Sequence, residues 1–69
     1  MENRFYAMYV TTKDVLVFMN EWERDDYVVM EQLVHPECIA VSYDEVKDLI
    51  AGKTPVYDEG FGCDAILAA

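Results

Sequence analysis

Positive charge is scarce in this chain. Five Lys and Arg stand against fourteen Asp and Glu over 69 residues, for a formal net charge of −9. Affinity for a phosphate backbone comes from cations that release counterions, so direct nucleic-acid binding is excluded on the sign of the charge. A negative surface is also repelled by anionic lipid headgroups. Long hydrophobic runs are missing too, and nothing approaches the roughly 20 apolar residues of a membrane span. The run Phe5–Val10, six residues before Lys13 and Asp14, is too short for the usual core of a secretory signal, which takes about 7–15. A cytoplasmic protein is expected. Cysteine is limited to Cys38 and Cys63; in a reducing compartment both stay thiols and read as small buried hydrophobes.

Catalytic signatures are equally thin. The single histidine, His35, lies three residues from Cys38 with Glu37 between, but a structural zinc site needs four N or S ligands, and a turn histidine beside a buried cysteine is the commoner arrangement. The segment Asp58-Glu59-Gly60-Phe61-Gly62-Cys63-Asp64 carries oxygen ligands without the spacing of a calcium loop. There is no Gly-x-Ser-x-Gly, no phosphate-cradling loop and no His-Glu-x-x-His. No metal, no cofactor and no enzymatic activity is expected.

What the chain does contain is apolar surface. At 54% hydrophobic and 13% aromatic it is too rich for a disordered acidic tail, which cannot offset chain entropy. It should fold as one acidic domain over residues 1–69, since a chain this short buries only about 60% of its unfolded surface and has no room for a second core. Surplus apolar area then points to a homodimer or a partner interface. With every cation paired, nine carboxylates would still have none.

Residues 4–11 form a β-branched and aromatic run in which Phe5/Ala7/Tyr9 and Tyr6/Met8/Val10 are both apolar, as in a central strand covered on both sides. Thr11-Thr12-Lys13-Asp14 has the form of a helix start, and Val15, Phe18, Met19 and Trp22 follow at helical spacing, which predicts a helix over 12–24. The competing reading is a strand over Asp14–Asn20, for which Val15, Leu16, Val17 and Phe18 have the propensity. Residues Tyr27–Val34 alternate well enough to be a strand, His35-Pro36-Glu37 interrupts pairing, and Cys38–Ser42 resumes it as a hairpin partner. Ser42-Tyr43-Asp44-Glu45 is a capping box before Val46, Leu49 and Ile50, with Gly52 as the stop. Ala65–Ala69 reads as a last strand or a docked tail. The expected class is α+β, a small sheet with two helices on one face, in the order β-α-β-β-α with a C-terminal strand to follow.

The acids fall into groups: Glu21, Glu23, Asp25 and Asp26; Asp44, Glu45 and Asp48; and Asp58 with Glu59. Acids 44 and 45 have capping and dipole work at a helix start. If the first helix ends near residue 24, the group from Glu21 to Asp26 opposes its dipole, a placement that calls for a functional reason. The plain alternative is a merely solvated surface. Tyr43, just past the cap, is expected to be exposed among the acids; Trp22 is expected in the core.

A short, strongly acidic domain with these clusters resembles the small phage-encoded inhibitors of host nucleic-acid machinery, anti-CRISPR proteins among them. The resemblance implies a non-enzymatic inhibitor in the host-cell cytoplasm. Its nucleic-acid-mimicking carboxylates and Tyr43 would occupy a basic nucleic-acid-binding protein and block access. The alternative is a small structural or regulatory subunit that dimerises or docks through its apolar surface.

Overall fold

The two apolar faces of the first strand organise the whole molecule. In a computed structural model that describes residues 4–55 and 65–67, the elements are β1 (Phe5–Tyr9), β2 (Asp14–Phe18), α1 (Glu21–Glu31), β3 (Cys38–Val41), α2 (Tyr43–Ile50) and β4 (Ala65–Leu67). The strands form one antiparallel sheet in the order β3-β1-β2-β4. Directly paired residues share a face, so the register Phe5↔Phe18, Ala7↔Leu16 and Ala7↔Ala40 assembles one apolar layer, and Tyr6↔Val17, Tyr6↔Val41 and Met8↔Val15 assemble the other.

Each layer is covered by its own helix. On one side Ala7, Leu16, Phe18 and Cys38 pack with Val28 of α1; on the other Tyr6, Val15, Val41 and Leu67 pack with Val46 of α2. The α+β class with a small sheet and two helices is what the chain adopts, but the helices lie on opposite faces rather than on one. The reason is already in β1 and β2, whose successive residues are apolar: a single-faced arrangement would leave Tyr6, Val15 and Val41 in water.

The span 12–24 needs a correction. Residues 14–18 are a strand, and the helix begins only at Glu21. A strand buried on both faces is apolar at every position, so it satisfies helical spacing by default. Thr11-Thr12-Lys13 is the β1–β2 turn instead of a helix start: Lys13 takes a left-handed φ of 68°, its N–H donates to Tyr9 O at 2.8 Å, and the Thr12 hydroxyl donates to Asp14 at 3.1 Å. The strand expected over Tyr27–Val34, and with it the hairpin to Cys38–Ser42, is also overturned, because α1 occupies this stretch through Glu31. Tyr27, Val28 and Glu31 face the sheet while Val29, Met30 and Leu33 face out, so apolar residues on both sides of a helix imitate alternation. The helix ends by tightening, Leu33 N–H to Met30 O at 3.2 Å and Val34 N–H to Glu31 O at 3.0 Å, before Pro36 stops it.

The second helix forms as its sequence predicts. Glu45 accepts the Ser42 N–H at 2.7 Å, Val46 is fully buried, and Gly52 takes φ +76° beyond the last turn, a conformation open to glycine. No helix among the described residues is long and apolar enough to cross a membrane.

Candidate interaction surface

Chain direction decides where the acids go. Phe18, which ends β2, pairs with Phe5 at the start of β1, and Val41, which ends β3, pairs with Tyr6. Both helices therefore begin at the same end of the sheet, on opposite sides of it. Glu21, Glu23, Asp25 and Asp26 on α1 and Asp44 and Glu45 on α2 are gathered at this one pole, and Asp48 follows a turn further along α2. One cavity of about 410 Å³ spans the pole, lined by Arg4, Tyr6, Arg24, Ser42, Tyr43 and Glu45 among others. Tyr43 is half exposed at 48%, its ring 6.0 Å from that of Tyr6. Asp58 and Glu59 lie outside the described residues.

The pole also revises the argument about the first acidic group. Because α1 starts at Glu21, Glu21 and Glu23 occupy its first turn, where negative charge complements the helix dipole by about 0.3–1 kcal/mol. They do not oppose it. Their placement has a structural explanation of the kind already given for Asp44 and Glu45, and dipole conflict no longer singles them out.

Few cations reach these acids. Arg24 is largely buried and satisfied: Nε donates to Asp25 at 2.7 Å, Nη1 donates to the Tyr6 carbonyl at 3.1 Å, Nη2 lies 3.6 Å from Glu21, and the guanidinium stands 5.8 Å from the centre of the Phe5 ring. Lys47 approaches Asp44 at 3.9 Å, an exposed pair worth at most about 1 kcal/mol. Among the described residues no cation pairs with Glu23, Asp26 or Asp48.

The residues that sequence reasoning missed are apolar. Trp22 is 69% exposed, Val29 63% and Met30 59%, all on the face of α1 turned away from the sheet, and Leu33, in the turn that follows the helix, is 78% exposed. Trp22 was expected in the core and stands in water instead, since the shift of the helix start rotates it to the side opposite Val28. Asp26 lies on the same face, and an open groove of about 400 Å³ along its flank is lined by Trp22, Glu23, Asp26, Tyr27 and Met30. The 3.6-residue period over 22–33 carried this signal, but an apolar face says nothing about which side is buried.

The far end of α1 is held by a polar network. Tyr9 donates its hydroxyl proton to Glu31 at 2.7 Å, so the 3.0 Å bond between Tyr9 and Tyr27 has Tyr27 as the donor. Burial, reinforced by these two bonds and by the charge of Glu31, pushes the Tyr9 phenol well above its ordinary range. His35 sits between Glu31 at 3.8 Å and Glu37 at 3.7 Å, its ring edge-on to Tyr9. Cys38 is completely buried, and burial, with Glu31 and Glu37 nearby, raises its thiol to about 11, so it is held protonated and unreactive. The described residues contain no group of three or more His, Cys, Asp or Glu placed to hold a metal ion.

Comparison with protein-family models, with curated proteins and with solved structures returned no match.

Proposed function

We propose that this protein is a non-enzymatic inhibitor that binds a basic, nucleic-acid-handling protein and blocks nucleic-acid access. The observation that carries the reading is the outward surface of α1, where large apolar side chains stand in water directly beside carboxylates without cations. A monomer gains nothing from holding Trp22, Val29, Met30 and Leu33 exposed, and contiguous apolar patches rimmed by polar groups mark interaction surfaces. The acids at the pole set the sign of the partner: a Lys/Arg-rich surface, approached quickly and in a salt-dependent way.

Charge reversal tests this. Asp25→Lys with Asp26→Lys, and separately Asp44→Lys with Asp48→Lys, are used as bait against heparin-binding proteins at low and high salt. All four sites are exposed, and Arg24, which loses its Asp25 acceptor, keeps the Tyr6 carbonyl and Glu21, so the fold should survive. Capture that falls with salt and disappears in the reversed variants is the expected result. Capture by both variants unchanged from that of the wild type would remove the reading. A salt-insensitive dimer with no affinity for basic proteins would favour the structural or regulatory subunit instead.

A further inference from the structure

Resting on that reading, we infer that the outer face of α1 is a docking surface for a basic amphipathic helix of the partner, whose cations lie toward the end that meets Trp22. Trp22 to Met30 spans about 12 Å of helix at 1.5 Å per residue, and Leu33 in the turn after α1 extends the apolar surface beyond it; an apolar stripe along a helix is the form in which one helix packs along another. The stripe is also polarised. Glu21, Glu23, Asp25 and Asp26 border or interrupt its first half, whereas its second half is Val29, Met30 and Leu33, and α1 has no basic residue in its last turn. An occupant therefore meets a concentration of negative charge at one end and mainly apolar groups at the other.

A second copy of the chain does not fit this surface. The outer face carries no Lys or Arg, because Arg24 is turned inward against Tyr6 and Phe5. Pairing two such faces would place Asp26 of each copy in the interface with no cation to meet it, on molecules of charge −9. Burying an unpaired carboxylate is costly. An apolar stripe flanked by Lys or Arg supplies both terms at once.

The chain has a single tryptophan, and it lies on the proposed surface, so its emission reports contact there alone. The full-length chain is titrated with three synthetic helix-forming peptides of about five turns: a Leu/Lys peptide with one apolar stripe, the same composition scrambled to abolish the stripe, and a Leu/Glu counterpart. The striped Leu/Lys peptide should shift Trp22 emission to the blue. The scrambled peptide should bind at least about tenfold more weakly, the loss expected when a hot-spot contact of roughly 1.4 kcal/mol or more is removed. The Leu/Glu peptide should not bind. Val29→Asp and Leu33→Asp, both at exposed positions, should each weaken the striped peptide by a similar factor with unchanged far-UV circular dichroism; Met30→Ser is the milder check.

Equal binding of the scrambled peptide, wild-type affinity in Val29→Asp and Leu33→Asp, or no response to the striped peptide each overturns the inference. So does self-association that Leu33→Asp abolishes. The two readings fail separately. If the charge-reversed variants bind the striped peptide as wild type does while Leu33→Asp does not, the electrostatic reading falls and the apolar stripe stands. If the charge-reversed variants lose binding while Leu33→Asp keeps it, the stripe falls.

Discussion

The two helices make a natural comparison, since each covers one face of the same sheet and each begins at the same end of it. Helix α2 is finished by the fold: its start is held by Glu45, its inner face buries Val46, and its outer face offers Asp44, Lys47 and Asp48 to water. Helix α1 is left open. It buries Val28 and fixes Arg24, Tyr27 and Glu31 against the sheet, then presents Trp22, Val29 and Met30 outward, with Leu33 exposed just beyond its end. The difference teaches that amphipathicity must be judged against both sides of a helix. An element that is apolar outside as well as inside has a surface that folding alone does not use.

The comparison can be broken most sharply at the inner layer beneath α1. Phe18 is fully buried there, and Phe18→Ala should cost about 3–5 kcal/mol, enough to unfold much of the population of so small a domain. Val29→Ser on the other side of the same helix, with Leu33→Ser in the turn after it, should move stability by no more than about 0.5 kcal/mol. Chemical denaturation of the variants measures both. Equal losses would mean that the outer stripe is packed in solution and that the contrast between the helices is false.

A smaller effect is expected at α2. Glu45→Ala removes the acceptor for the Ser42 N–H and should cost about 1 kcal/mol, measured as a fall in the denaturation midpoint. The corresponding change at α1, Asn20→Ala, should cost less, because Asn20 makes no side-chain cap bond. A larger loss at Asn20 would reverse the order of the two helices.

The gentlest test is alkaline pH, which acts on Cys38 and Tyr9 on the side of the sheet covered by α1 and on Tyr6 on the other side, where burial also raises the phenol. Burial raises Cys38 from its ordinary 9.0 to about 11, and raises Tyr9 in the same direction. The folded chain keeps protons that the unfolded chain releases, so stability is full below pH 9 and declines as pH rises toward 11. Midpoints measured across this range should fall in the wild type and fall less steeply in Tyr9→Phe. A flat profile would show that none of these groups is desolvated as described.

How much was legible follows from where each signal was unambiguous. The strand over 4–11 and the helix from Ser42 to Gly52 could be read because a two-faced apolar run and a capping box each admit one structure. Residues 12–34 could not, because Val15–Phe18 and Tyr27–Val34 are dense enough in apolar side chains to satisfy both the 2-residue and the 3.6-residue period. The acids and Tyr43 were legible as candidates, since charge stays at the surface in any fold. The exposed stripe was not, for a large apolar residue is by default assigned to the core.

The sequence by itself determined the sign and excess of charge, the α+β class, the two-sided β1 and the capped α2, because these rest on composition and on interactions a few residues apart. The tertiary structure decided that 14–18 pairs as a strand with β1, that the helices part to opposite faces and that their acidic first turns meet at one end. It also decided that Trp22, Val29, Met30 and Leu33 face water. Those outcomes depend on which of two apolar faces the sheet covers, a choice made by long-range pairing and burial rather than by any local preference.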